Sequence, residues 1–123
     1  MGSPAAGRTV LEFEYNEALW DVVTSWADEH GYKQVGGDDN DRILQKGTGF
    51  LVAPMMCHIQ QQGSQVKLEA WIRVNLFMRI MGLFLIPAEM GIASGGFKLV
   101  APRNIARKAV NKLLEQLGQE PIA

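Results

Sequence analysis

Residues 55–77 read MMCHIQQQGSQVKLEAWIRVNLF, and they set the architecture of the whole chain. Apolar residues occupy alternate positions on both sides of the turn formers 62–64, which is the period of a strand with one buried face. The predicted inward-facing set is Met55, Cys57, Ile59, Val66, Leu68, Ala70, Ile72, Val74 and Leu76. The stretch therefore predicts a β-hairpin, whose second arm could extend to Phe77 as one long, twisted strand.

The flanking segments predict further strands. Residues 9–15 alternate between apolar and polar side chains, which indicates a first strand. Short extended pieces are expected at residues 32–35 and 42–46, and a last edge strand at 97–101, ended by Pro102. The turn formers 36–41 separate the first two of these pieces.

Two segments have helical periodicity. Apolar residues after Asn16 recur at three-four spacing as far as Gly31, so we expect Asn16 to cap a first helix and Gly31 to end it. Residues 104–117 form a second amphipathic helix, closed by Gly118. The predicted fold class is α+β: a twisted antiparallel sheet of four to five strands with two amphipathic helices packed on one face, in the order β-α-β-β-β-(β)-α.

Length and composition indicate one domain. The chain has 123 residues, of which 47% are hydrophobic and 20% charged, and its formal net charge is −1. We expect a single domain over residues 9–118, with a flexible N-terminal tail (1–8) and a short C-terminal tail (119–123). The lack of excess positive charge argues against a nucleic-acid partner. The single cysteine excludes an internal disulfide, and a cytoplasmic location is expected because no secretory signal is evident.

The sequence offers no recognisable catalytic or metal-binding group. Cys57 and His58 are adjacent, but neighbours on a strand point to opposite faces. Residues 38–41, DDND, lack the remaining ligands of a calcium loop and fit a turn that bonds its own backbone. We therefore predict that the protein is not an enzyme and needs neither a metal nor another cofactor.

Residues 76–92 are the most apolar part of the chain. The outward-facing rings Trp71 and Phe77 adjoin this segment and require a cover. The uncharged run 80–88 is too short for a membrane-spanning helix, which needs about 20 residues. The predicted partner- or ligand-binding residues are Trp71, Phe77, Met78, Ile80, Met81, Leu83, Phe84, Leu85 and Met90.

Basic residues are concentrated near the second predicted helix. This candidate patch for an anionic partner comprises Lys98, Arg103, Arg107, Lys108 and Lys112. A solvated helix face explains the same residues without any partner.

The leading functional hypothesis is a small non-enzymatic interaction module that self-associates as a homo-oligomer, most simply a two-fold dimer, or docks a partner, in either case through the apolar segment. Two alternatives remain open at this point. One is a carrier that binds a small apolar ligand between curved sheet and helices, and the other is a protein that binds peripherally to a membrane surface.

Overall fold

The computed structural model describes residues 8–47, 54–73, 89–90, 92 and 100–123, without the side chains of 89–90 and 100–103. In chain order its elements are β1 (Thr9–Glu14), α1 (Leu19–His30), β2 (Lys33–Gly37), β3 (Asp41–Lys46), β4 (Met55–Gln62), β5 (Gln65–Arg73), β6 (Glu89–Met90) and α2 (Val100–Gln116).

The described strands form one sheet, all of whose pairs are antiparallel, with the strand order β1-β5-β4-β3-β2. The predicted hairpin lies at its centre, because β4 and β5 pair from Met55↔Ile72 to Gln62↔Gln65. The short β6 also pairs with β5, through Ile72 and Arg73. Since β4 already occupies one edge of β5, β6 continues the edge that β1 begins. The predicted α+β class and antiparallel sheet are confirmed.

The hydrophobic core lies between the sheet and both helices. The ring of Trp26 in α1 is fully buried, stacks on Tyr32 at a centroid distance of 4.5 Å, and donates a hydrogen bond from Nε1 to the Ala109 carbonyl at 2.7 Å. That bond fixes α1 against α2. The inward-facing residues predicted for the described part of the hairpin are all buried in this core: Met55, Cys57, Ile59, Val66, Leu68, Ala70 and Ile72.

Neither helix begins at its predicted residue, since α1 begins at Leu19 and α2 at Val100. Helix α1 begins at Leu19, after Ala18, so Asn16 is not its cap. Its predicted end is confirmed, because Gly31 adopts the left-handed conformation (φ 78°) and its N–H donates to Ala27.

The predicted edge strand at 97–101 is wrong at its last two residues. Val100 and Ala101 already belong to α2, and residues 97–99 lie outside the described part of the chain. Pro102 therefore sits in the first turn of a helix, where its missing N–H costs no intrahelical hydrogen bond. The sequence interpretation took the same proline as the end of a strand.

The turn between β2 and β3 is tighter than predicted. Strand β2 continues to Gly37, with an irregularity in register at Val35. The Asp38 N–H donates to the Asp41 carbonyl at 2.6 Å, and the Asp38 carboxylate accepts the Asn40 N–H at 3.0 Å. The acidic run thus bonds its own turn, as predicted.

Candidate functional site

The apolar segment falls mostly outside the described residues. Of the nine predicted partner-binding residues, Trp71 has a described side chain and Met90 a described backbone. The other seven lie outside the described part of the chain: Phe77, Met78, Ile80, Met81, Leu83, Phe84 and Leu85. Ile92, at the end of the segment, is fully buried and belongs to the core of this chain.

The residues that flank positions 74–88 pair directly with each other on the sheet. Arg73, the last residue of β5, pairs with Glu89, the first of β6. Just beyond β6, the Ile92 N–H donates to Thr9 Oγ1 at 3.0 Å, and Arg107 donates to the Ile92 carbonyl at 3.3 Å. Residues 74–88 thus connect two directly paired positions, and we call them the apolar connection.

Trp71 lies on the sheet face opposite the helices, as the alternation predicts. It pairs across the sheet with Met56, and neither residue belongs to the core cluster. Its exposed fraction is only 4%, and the Arg8 guanidinium lies 3.7 Å from the centre of its ring. The expected cover of this ring therefore includes Arg8, a residue that the sequence interpretation assigned to a flexible tail.

A buried carboxylate holds that arginine in place. Glu69 is 5% exposed, and its carboxylate accepts a hydrogen bond from Arg8 at 2.9 Å and lies 3.2 Å from the Lys67 ammonium. Burial by itself would raise the pKa of Glu69, but the hydrogen bonds from Arg8 and Lys67 outweigh it, so the pKa is lowered. The group is a structural ion cluster whose carboxylate is charged at neutral pH.

A second polar cluster lies on the same face. His58 Nε2 is 2.5 Å from Asp41 Oδ1, and Gln60 donates to Asp41 Oδ2 at 3.0 Å. The hydrogen bond with His58 is the main cause of a lowered pKa of Asp41. Sequence reasoning missed this cluster. The strand register brings the three residues of this cluster together, because it pairs Asp41 with Gln60 and places His58 diagonally across from Asp41.

Cys57 and His58 do point to opposite faces, as predicted. The Cys57 thiol is fully buried in the core, and burial raises its pKa to about 12. It is therefore a thiol rather than a thiolate at neutral pH, which is the unreactive form. The two side chains do not form a nucleophile and base pair.

The structure divides the predicted basic patch. Lys108 and Lys112 are exposed on one face of α2. Arg107 instead donates hydrogen bonds to the Ile92 carbonyl and to Asn104 Oδ1, because one residue corresponds to about 100° around a helix. Lys98 and the Arg103 side chain lie outside the described residues.

The two exposed lysines line a cleft of about 750 Å³ that sequence reasoning missed. His30 from the end of α1 and Lys46 from the end of β3 join them there. These residues come from three separate elements, so no local pattern in the sequence brings them together.

Among the described side chains, no three histidine, cysteine or carboxylate residues are grouped closely enough to hold a metal ion. In the same part of the chain, neither helix has the length and hydrophobicity needed to cross a membrane.

Comparison with known proteins returns no relative: no family model, no curated protein and no solved structure matches this chain.

Proposed function

We propose that this protein is a small non-enzymatic interaction module that self-associates as a two-fold dimer through the apolar connection. The observation that carries the proposal is the direct pairing of Arg73 with Glu89, which returns the chain to the sheet beside its point of departure. Between those two residues the sequence has a single charged side chain, Arg79. A contiguous apolar surface is rare on monomers and usually marks an interface.

The composition of the described core supports the same view. Its buried cluster already combines both helices with the inward face of the sheet, and from residues 74–99 it includes Ile92. We propose that the large apolar residues of the connection supply the partner surface: Leu76, Phe77, Met78, Ile80, Met81, Leu83, Phe84, Leu85 and Ile86. Its methionines suit an adaptable contact.

The described polar groups support a non-catalytic role. Glu69 is neutralised by two cations, Asp41 is hydrogen-bonded by His58 and Gln60, and Cys57 is a buried thiol. A general acid or base requires a titratable group that can reach a substrate, and these three are engaged within the fold.

Single aspartate substitutions test the interface. We expect Leu83→Asp or Phe84→Asp to weaken dimerisation at least about 30-fold in sedimentation velocity, because a charge would be buried in an apolar contact. Val35→Asp is the matched control, since Val35 is a large apolar residue, 56% exposed, on the separate strand β2. That variant should dimerise as the wild type does.

A wild-type chain that stays monomeric at high micromolar concentration would refute self-association. If that monomer also floated with vesicles of anionic lipid, the membrane-surface alternative would replace it. If it co-purified with an apolar molecule in native mass spectrometry, the carrier alternative would do so.

A further inference from the structure

The cleft beside α2 is lined by residues that do not belong to the apolar connection, and it has the properties of a binding site. Its volume of about 750 Å³ lies within the range of about 300–1,000 Å³ that is usual for small-molecule sites. It combines an apolar floor with a few cationic groups.

The floor of the cleft exposes apolar surface. Ile105 is 47% exposed and is, with Val35, one of two large hydrophobic residues exposed in the described part of the chain. Ala109, one turn later on α2, lines the cleft but is itself buried at 5% exposure, and Pro121 adds apolar surface from the C-terminal segment. An apolar body placed against Ile105 would remove this surface from water.

The charged groups around the cleft are mainly positive. Lys46, Lys108 and Lys112 line it together with one carboxylate, Glu115. Glu115 lies 3.7 Å from Lys112, and both side chains are mostly exposed, so the pair is weak. The three ammonium groups therefore leave a positive excess that favours an anionic ligand.

Hydrogen bonds fix the walls of the cleft before any ligand binds. The Asn111 side chain donates to the Ile122 carbonyl at 3.0 Å and accepts the Ile122 N–H at 2.6 Å. Gly118 (φ 71°) ends α2, and the Gln119 N–H donates back to Leu114 at 2.8 Å. The C-terminal segment is thus tied back onto α2, where it forms one wall. A preformed wall lowers the entropic cost of binding.

We propose that this cleft binds a small organic anion, with its carboxylate at the lysines and its apolar body over Ile105 and Ala109. The cleft volume of about 750 Å³ suits a small molecule. The two parts of the ligand correspond to the two kinds of surface that line the cleft.

Octanoate is a suitable probe, titrated into ¹⁵N-labelled wild-type protein at neutral pH. We expect saturable shifts of the Ile105, Lys108, Asn111 and Gln119 amide signals, with a dissociation constant of about 1 mM for so small a ligand. Acetate, which lacks the apolar body, and 1-octanol, which lacks the charge, should each bind at least about fivefold more weakly.

A charge-removing variant tests the role of the lysines. The double substitution Lys108→Gln with Lys112→Gln should weaken octanoate binding about fivefold and leave 1-octanol binding unchanged. Lys33→Gln, at an exposed lysine on β2, is the control and should bind octanoate as the wild type does. The proposal is overturned if 1-octanol binds as tightly as octanoate, if the double variant binds octanoate unchanged, or if the shifts map away from α2. None of these results bears on the oligomeric state, so the two proposals fail separately.

Discussion

Arg8 makes two contacts that explain a tryptophan and a carboxylate on the outer sheet face. Its guanidinium stacks on the ring of Trp71 and donates to Glu69. Arginine suits this position because its planar group can stack on an aromatic face while its edge donates hydrogen bonds. A buried carboxylate is costly unless such partners neutralise it. The cluster therefore attaches the start of β1 to the middle of β5.

The substitution Glu69→Gln should destabilise the folded protein. The substitution leaves Arg8 and Lys67 without their anion, so the free energy of unfolding at pH 7 should fall by about 1–2 kcal/mol in urea denaturation. Glu29→Gln, at an exposed position on α1, should stay within about 0.5 kcal/mol of wild type.

The difference in the free energy of unfolding between wild type and Glu69→Gln should depend on pH. The folded-state pKa of Glu69 is lowered, so its stabilising contribution is complete above the ordinary glutamate pKa of about 4.3 and is lost as the pH falls through the folded value. The difference between wild type and Glu69→Gln should therefore shrink from pH 7 to pH 3. A constant difference over that range would show that the carboxylate charge is not what stabilises the cluster.

Among the elements, Gly37 at the end of β2 and Gly63 just after β4 both have a left-handed backbone, but the space around them differs. Gly37 (φ +89°) lies at the tight turn into β3, where a Cβ atom would come within 1.7 Å of the Asp41 carbonyl oxygen. Gly63 (φ +59°), in the β4–β5 turn, would meet nothing within 4 Å. The β2–β3 turn therefore requires glycine both because a side chain would not fit and because the backbone is left-handed. The β4–β5 turn requires it only because the backbone is left-handed.

Alanine substitutions separate the two requirements. Gly63→Ala should lower the free energy of unfolding by about 1 kcal/mol, the cost of a side chain in the left-handed region. Gly37→Ala should cost about 2 kcal/mol more, because the turn backbone has to move as well. Chemical denaturation of both variants measures the difference. Equal costs would mean that the β2–β3 turn adjusts without strain.

For the molecule as a whole, the strand register places Lys46 and the two residues that flank the apolar connection at the same end of the sheet. Lys46 pairs with Met55, Met55 with Ile72, and Ile72 with Met90, so these residues form a row across four strands. The apolar connection leaves the sheet at this end, and Lys46 lines the cleft from the same row. The opposite end of the sheet carries the turns that follow Gly37 and Gln62.

Self-association predicts a thermal stability that depends on concentration. Dimer formation stabilises the native state by mass action, so the wild-type Tm should rise by several degrees between about 5 and 500 µM protein. Phe84→Asp should show a smaller rise, because its weaker dimer is less populated over the same concentrations. Differential scanning calorimetry at the two concentrations makes the measurement, and a constant wild-type Tm would contradict the dimer.

Local patterns were sufficient for the hairpin and for the class of fold. Val66, Leu68, Ala70 and Ile72 are buried as their alternation predicts, because the period of a strand depends only on neighbouring residues. The prediction at Pro102 is wrong because a proline suits both the end of a strand and the first turn of a helix. Its local sequence does not distinguish these two possibilities.

The sequence by itself determined the α+β class, the central hairpin and its inward face, and the end of the first helix at Gly31, since each follows from interactions between residues close in the chain. Only the tertiary structure placed Arg8 on Trp71, His58 beside Asp41, and Lys46 in one cleft with Lys108. These partners are far apart in the chain, and strand register and helix packing bring them together, neither of which can be read from a local pattern.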